Sequence, residues 1–331
     1  MTGRRGWPCR PVLGIGLGAL AVGASCASPM VGLDGFIGEL AASWRPHIAL
    51  GVAVCAAMAL MVRLRLLAAL LTALAVVLGA DVVRTEMISA QAQVRSSLPE
   101  DGALRIAFSN VLVVNDDTGR LVAWIEKSDP DIVVATEMSP RHVEQMAEFM
   151  ADYPFRVLEP REHPYGMVVY SRYPISSEAV TELADGTPST PDPVMVTVGV
   201  ETPAGTLHVT GLHPCAPVTP RRLARRNEQF AMAGDILTQL DAPKIVAGDF
   251  NATPWSAGLR AFLRNTRLTG FNTRATWPVW LGFAGIPIDH ALASRDLRIL
   301  DIETGPNIGS DHRPILIDVA LAGPETAHVS P

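Results

Sequence analysis

Lys244-Ile-Val-Ala-Gly-Asp-Phe-Asn-Ala-Thr-Pro-Trp255 is the stretch on which the fold of this 331-residue chain turns. Ile245 to Ala247 reads as a short buried strand that stops at Gly248, so that Asp249 and Asn251 emerge together at its carboxyl end. Side chains two apart on an extended chain point the same way. An acceptor-only carboxylate beside a neutral amide suits activation of a hydroxyl and stabilisation of an oxyanion. The same residues read equally well as an Asx turn closing a strand.

Working outward, other polar residues stand at the ends of apolar runs. Asn110 falls in the strand Leu104–Val111, and Glu137 follows Ile132–Thr136. His213 closes Leu207–Leu212, Asp289 opens the strand after Ile288, and Asp311-His312 precede Ile315–Val319. A carboxylate at the end of a strand lies at the rim of a sheet, where sites form. Glu137, Asp249, Asp289 and Asp311 with Asn110 and Asn251 make an oxygen-rich, thiol-free set that suits Mg²⁺ or Mn²⁺. Two histidines added to such a set suggest phosphate-ester chemistry.

Further strand-like runs, Phe155–Leu158, Met167–Ser171 and Val194–Glu201, occur between turns, and helices are predicted over Leu121–Lys127 and Pro140–Met150. Hairpins beside helix crossovers argue for an α/β fold with mixed sheets. Ser176 to Pro193 reads as a short polar connection. Thr219 as N-cap and Pro220 open the longest helix. Its Arg221, Arg222, Arg225 and Arg226 read as a solvated basic face, or as a phosphate site close to His213.

Hydrophobic residues make up 48% of the chain and concentrate before residue 84. Pro11–Leu33, Pro46–Val62 and Leu66–Val83 are three candidate transmembrane helices. Arg4, Arg5, Arg10, Arg63 and Arg65 flank one set of ends, and Asp34, Glu39 and Asp81 the other, with Arg45 the exception. The positive-inside rule then predicts a multi-pass protein of the plasma membrane, with a cytoplasmic amino terminus and everything after residue 84 extracytoplasmic. A competing reading makes residues 1–27 a cleavable signal peptide and exports the same part. The expected organisation is a membrane region 1–83, a juxtamembrane helix or linker 84–102, a catalytic domain 103–322 and a disordered tail 323–331.

Of the four cysteines only Cys215 falls in the exported part, which excludes a disulfide there. Residues 1–83 hold 6 of the 27 basic and 3 of the 33 acidic residues, so the remainder carries 21 against 30, a net of −9. That is a poor footprint for long nucleic acid, whose binding rests on phosphate neutralisation.

In order, Asn110, Glu137, Tyr165-Gly-Met-Val-Val-Tyr-Ser171, Gly211-Leu-His213, Gly248-Asp-Phe-Asn251, Ile288-Asp-His290 and Gly309-Ser-Asp-His312 resemble the motifs of the endonuclease/exonuclease/phosphatase superfamily. The resemblance covers about residues 103–321. It implies a four-layer α/β/β/α sandwich of two mixed sheets with the site at one rim. It further implies Glu137, aided by Asn110 and Asp311, as metal ligands, and Asp249 as the residue that aligns or deprotonates the attacking water. Asn251 would hold a phosphate oxygen, and His312, oriented by Asp289, and His213 would bind phosphoryl oxygens.

A membrane region followed by such a domain resembles the bacterial glycopeptide-resistance membrane proteins of the VanJ type, associated with undecaprenyl pyrophosphate. The expected partners are a phosphorylated membrane lipid as substrate and the lipid bilayer. The alternatives are a phosphodiesterase acting on nucleic acid or phospholipid head groups, and an inactive domain that binds an envelope component. His163 lines the site or a surface loop. Trp255 is expected in the core, and Trp277 and Trp280 either there or against an apolar tail.

Overall fold

The computed structural model describes residues 9–32, 35–92, 103–184, 191–241 and 243–321. The expected tail 323–331 and the polar residues 93–102 lie outside them. The chain divides into two compact units, Met1–Ile88 with the short piece Trp255–Arg260, and Ser89–Pro254 with Ala261–Pro331.

The first unit is helical, with α1 (Cys9–Ala27), α2 (Phe36–Ser43), α3 (Arg45–Met61) and α4 (Arg65–Ala92). Arg10–Val31 and Arg65–Gln91 are long and apolar enough to cross a membrane; α2 and α3, bent by 86° at Trp44, make a third crossing if the pair is one broken span. Pro46 at the start of α3 supplies the bend, since proline cannot donate to a continuing helix. Helix α2 is an addition to the three expected segments, and α4 continues past Val83 to Ala92. Arg45, the exception among the arginines, is fully buried and paired with Asp81. Asp81 also accepts from Arg260 Nη2 at 2.8 Å, and Glu39 accepts from Ser256 Oγ and from the Ala257 N–H. Among the described residues of this unit, the buried charges Glu39, Arg45 and Asp81 therefore each have an opposite charge or a helix amino terminus beside them.

The second unit holds β1 (Leu104–Asn110), α5 (Gly119–Ser128), β2 (Ile132–Thr136), α6 (Pro140–Met146), β3 (Phe155–Glu159), β4 (Met167–Ser171), β5 (Ile175–Glu182), β6 (Val194–Thr202), β7 (Gly205–Leu212), α7 (Pro220–Gln239), β8 (Lys244–Asp249), α8 (Ala257–Thr266), β9 (Asp289–Ala293), β10 (Leu297–Thr304) and β11 (Ile315–Leu321). One sheet has the order β10-β11-β1-β2-β4-β3 and the other β5-β6-β7-β8-β9. Both are mixed, with β1–β2 and β7–β8 parallel and their other pairs antiparallel. Ile106, Phe108, Val134, Val196, Val209, Ile245 and Ile317, drawn from both sheets, form one continuous core, so the sheets pack face to face. Leu121, Ile125, Met146 and Met150 cover the outer face of the first sheet. Rings of Phe230 on α7 and Phe262 on α8 pack on Phe250 behind the second. This is the expected four-layer sandwich.

Two strands were not expected. β5 occupies the start of what the sequence suggests is a polar connection, and β10 has no counterpart in the apolar runs. Both are edge strands, and β5 is exposed along most of its length, so no apolar alternation marks it.

Candidate active site

The parallel pairs place their carboxyl ends together. β1 ends at Asn110, β2 delivers Glu137, β7 delivers His213 and β8 ends at Asp249. β9 runs antiparallel to β8, so its first residue, Asp289, stands directly opposite Asp249. A Cβ on Gly248 would lie 2.0 Å from the Leu212 carbonyl oxygen, so only glycine lets β8 approach β7 here. The described residues thus bring Asn110, Glu137, His213, Asp249, Asn251, Asp289 and His312 to one rim, most of them buried.

Asn110 is the bridge. Its Nδ2 donates to Glu137 Oε1 at 3.0 Å and to Asp249 Oδ2 at 3.1 Å, while its Oδ1 accepts the Leu112 N–H. The amide nitrogen, rather than the oxygen expected of a metal ligand, faces the carboxylates. Glu137 adopts a left-handed backbone, φ 59°, and its Oε2 accepts the Val113 N–H at 3.0 Å. Holding a non-glycine residue there costs about 1–3 kcal/mol, and such strain gathers at functional sites.

Two histidines flank Asp249. His213 Nε2 lies 3.5 Å and His312 Nε2 3.7 Å from Asp249 Oδ2. The far nitrogen of each is engaged, His213 Nδ1 with Thr136 Oγ1 at 2.9 Å and His312 Nδ1 with Asp289 Oδ2 at 3.0 Å. Burial opposes charge on His312, but the anions of Asp289 and Asp249 outweigh it and push its pKa up to about 10. Burial pushes the Asp249 carboxyl up to about 6, against the pull of His312 and His213. His290, inside the same motif as Asp289, is a structural residue. Burial lowers it to about 4, and as a neutral ring it accepts the Asn272 N–H and donates to Ala252 O.

Asn251 converges on Asp249 through a turn rather than through strand alternation. It lies beyond the end of β8 with φ 48°, and its N–H donates to Asp249 Oδ1 at 2.9 Å. The Asx turn and the site are therefore the same structure. Asn251 Nδ2 also donates to Pro214 O at 3.1 Å, which ties the β8 turn to the segment after His213.

Three residues have contacts that the sequence reading did not give them. Thr136 sets the ring of His213. Trp277 donates its indole N–H to Asp311 Oδ2 at 2.9 Å. Arg226 is buried, not a solvated face, and its Nη1 donates to the Asn251 carbonyl at 3.1 Å. Arg225 is likewise buried and paired with Asp192 at 2.5 Å. Helix periodicity would have placed Arg226 on the same face as Phe230, the one signal available. Trp255 is buried as expected.

The donor set fits a hard divalent cation. Among the described residues, no arginine or lysine pairs with Glu137, Asp249, Asp289 or Asp311, so four carboxylates stand against two imidazoles. One group of donor atoms, from Asp249, Asp289 and His312, lies within 4.8 Å of one another and offers an alternative to the expected Glu137 and Asp311.

Comparison with known proteins agrees with this geometry. A search of curated proteins by sequence gave no match. Among solved structures, an endonuclease/exonuclease/phosphatase from Beutenbergia cavernae is similar at TM-score 0.56 and 20% identity, over 67% of this chain and 72% of that one. D. rerio TDP2 complexed with a single-strand DNA product is similar at TM-score 0.53 and 15% identity, over 66% and 99%. The human Nocturnin catalytic domain with a bound sulfate anion is similar at TM-score 0.51 and 18% identity, over 66% and 95%. These likenesses concern the fold. The model of the Endonuclease/Exonuclease/phosphatase family matches residues 107–312, well over half of the chain and all seven residues gathered at the rim, so the chain belongs to this family of phosphoester hydrolases.

Proposed function

We propose that this chain is a membrane-anchored, divalent-metal-dependent phosphatase that hydrolyses a lipid pyrophosphate at the extracytoplasmic face, in cell-envelope metabolism. The observation that carries the reading is the presence, on one chain, of a phosphoester-hydrolase site and of helices long and apolar enough to span a bilayer. A soluble ester needs no such anchor, whereas an anchored enzyme is held permanently at the surface that carries a membrane-bound substrate.

The roles follow from the contacts. Asp249 accepts the proton of the attacking water, helped by Asn110, which fixes its Oδ2. His312, kept protonated by Asp289, and His213, fixed by Thr136, donate to the phosphoryl oxygens as charge grows on them. Asn251 Nδ2, which donates to Pro214 O at 3.1 Å and faces Asp249 Oδ2 at 3.5 Å, turns its second N–H from Asp249 to a further phosphoryl oxygen when substrate binds. Glu137 and Asp311, with Asn110 bridging Glu137 to Asp249, would hold Mg²⁺ or Mn²⁺, which supplies Lewis-acid stabilisation of the same oxygens. Each of these residues is in place before the substrate arrives, so little reorganisation accompanies reaction.

A second reading, a phosphodiesterase on single-stranded nucleic acid, draws on the fold likeness to TDP2. The net charge of −9 after residue 83 speaks against it. Phosphate release from undecaprenyl pyrophosphate by the detergent-solubilised full chain, measured beside plasmid nicking and sphingomyelin hydrolysis, decides. Mg²⁺-dependent release from the prenyl substrate alone, lost in Asp249→Ala, is expected; nicking or head-group release in its place overturns the substrate.

A further inference from the structure

The loop between Trp277 and Gly285 is fastened at its base and bare at its tip. Trp277 and Ile286 exchange backbone hydrogen bonds, N–H to O at 3.0 Å in one direction and 2.6 Å in the other. Beyond this clamp the Val279 N–H donates to Asp311 O at 2.7 Å, and the Trp277 indole holds the Asp311 carboxylate. Just before it, Thr276 Oγ1 accepts the Asp289 N–H and Thr276 O accepts the Arg313 N–H. The loop is thus anchored to the backbone that carries Asp289, Asp311 and His312. Its tip, Trp280-Leu281-Gly282-Phe283, leaves Trp280 77% and Phe283 99% exposed.

An exposed indole and an exposed phenyl within four residues are costly in water, at about 25 cal/mol per Å² of apolar surface. The sequence around them carries no compensating charge, since Ala275 to Ile288 holds neither an acid nor a base. Two more exposed apolar side chains stand in loops that leave site strands. Val114, 73% exposed, follows Val113, whose N–H binds Glu137, and Val218, 61% exposed, lies shortly after His213. Among the described residues of the second unit, the most exposed large apolar side chains therefore sit in loops belonging to the site.

We propose that the Trp277–Gly285 loop is a membrane-contacting ledge, with Trp280 and Phe283 entering the interfacial layer of a lipid bilayer beside the site. This deepens the proposed function and rests on its placing the domain at a membrane. Tryptophan favours that layer because its ring is apolar and its N–H polar, and an uncharged tip enters it without desolvating an ion. The chain also supplies the bilayer, through helices Arg10–Val31 and Arg65–Gln91. A second copy of the chain or a protein partner would more commonly meet such a tip with complementary charge at its rim, which residues 275–288 lack.

The test uses the full chain reconstituted in phosphatidylcholine nanodiscs, with and without lipids brominated on their acyl chains. Subtracting the emission of Trp280→Phe isolates the Trp280 signal, and most of that signal is expected to be lost in the brominated discs. An unquenched Trp280 signal overturns the proposal. In parallel, a Trp280→Ser/Phe283→Ser variant is expected to raise KM about tenfold for vesicle-embedded lipid pyrophosphate while leaving hydrolysis of the soluble monoester p-nitrophenyl phosphate unchanged. Equal losses on both substrates would assign the tip to support of Asp311 and overturn the ledge. A shift in oligomeric state in the double variant would assign it to a second copy, with the same consequence. If Trp280 is quenched but no lipid pyrophosphate is hydrolysed, the ledge stands and the substrate assignment falls.

Discussion

His312 Nδ1 lies 3.0 Å from Asp289 Oδ2, and Asp289 in turn stands opposite Asp249 across the β8–β9 ladder. Two carboxylates facing each other on neighbouring strands repel, by up to about 1 kcal/mol even at an exposed position. The imidazolium of His312, with its other nitrogen 3.7 Å from Asp249, offsets that repulsion. Its own pKa is raised in exchange, and the three groups form one electrostatic unit.

The first consequence is a pH profile. Asp249 must be ionised to accept a proton, and it ionises near pH 6; His312 must keep its proton, which it loses near pH 10. The rate is expected to rise through about pH 6 and to fall as pH approaches 10. Initial rates at saturating Mg²⁺ across pH 5 to 11 check this, and a rate that declines on leaving pH 5 would contradict the assignment of Asp249 as base.

Asp289→Asn removes the anion that holds His312 protonated without changing its shape. The alkaline limb is expected to move to lower pH, and kcat to drop about a hundredfold at neutral pH, the cost of losing one preorganised donor to the developing charge. An unmoved limb would show that Asp289 does not set the charge of His312.

Arg226→Met deletes the donor to the Asn251 carbonyl from a buried position. A charged hydrogen bond of this kind is worth about 1.5–3 kcal/mol, so the melting temperature should fall by several degrees. Because Asn251 shifts with it, kcat should fall while KM changes little. A normal kcat in a destabilised protein would confine Arg226 to packing.

Metal removal is expected to abolish activity and to lower thermal stability, since a cation held by the folded site alone would stabilise that state and offset the repulsion of its carboxylates. Dialysis against EDTA followed by calorimetry and Mg²⁺ or Mn²⁺ add-back measures both. Glu137→Gln should weaken the stabilisation by Mg²⁺, and if it does not while His312→Gln does, the cation is held by Asp249, Asp289 and His312.

In the helical unit, Asp81→Asn leaves Arg45 and Arg260 without their shared partner. Removing one member of a buried pair costs about 3–5 kcal/mol. Unfolding of the detergent-solubilised chain should come at lower temperature, with the Arg45→Met/Asp81→Leu pair recovering part of the loss.

Much of the site was legible in the linear chain, for a physical reason. Glu137, Asp249 and His213 each terminate or follow an apolar run, and a strand that stops at a polar residue must present it at the sheet rim whatever the sheet's order. The apolar spans were legible because a bilayer demands length and composition alone. What the sequence determined, then, was the chemistry available, the strands that deliver it and the presence of membrane-length helices.

Tertiary structure alone decided how those groups meet. That Asp289 opposes Asp249, that Thr136 sets His213, and that the Asn110 amide bridges Glu137 and Asp249 depend on the register and order of strands far apart in the chain. Burial of Arg226 depends on α7 lying against the β8 turn, which helix periodicity could only hint at. Exposure of Trp280 and Phe283 was equally hidden, because an aromatic residue in a sequence has the same apolar character in a core as at the tip of a loop. The edge strand β5 escaped notice because it is exposed along most of its length and carries no apolar pattern, and β10 because the irregularity between Ile299 and Asp301 breaks the period-two spacing of its core residues Leu297, Ile299 and Ile302.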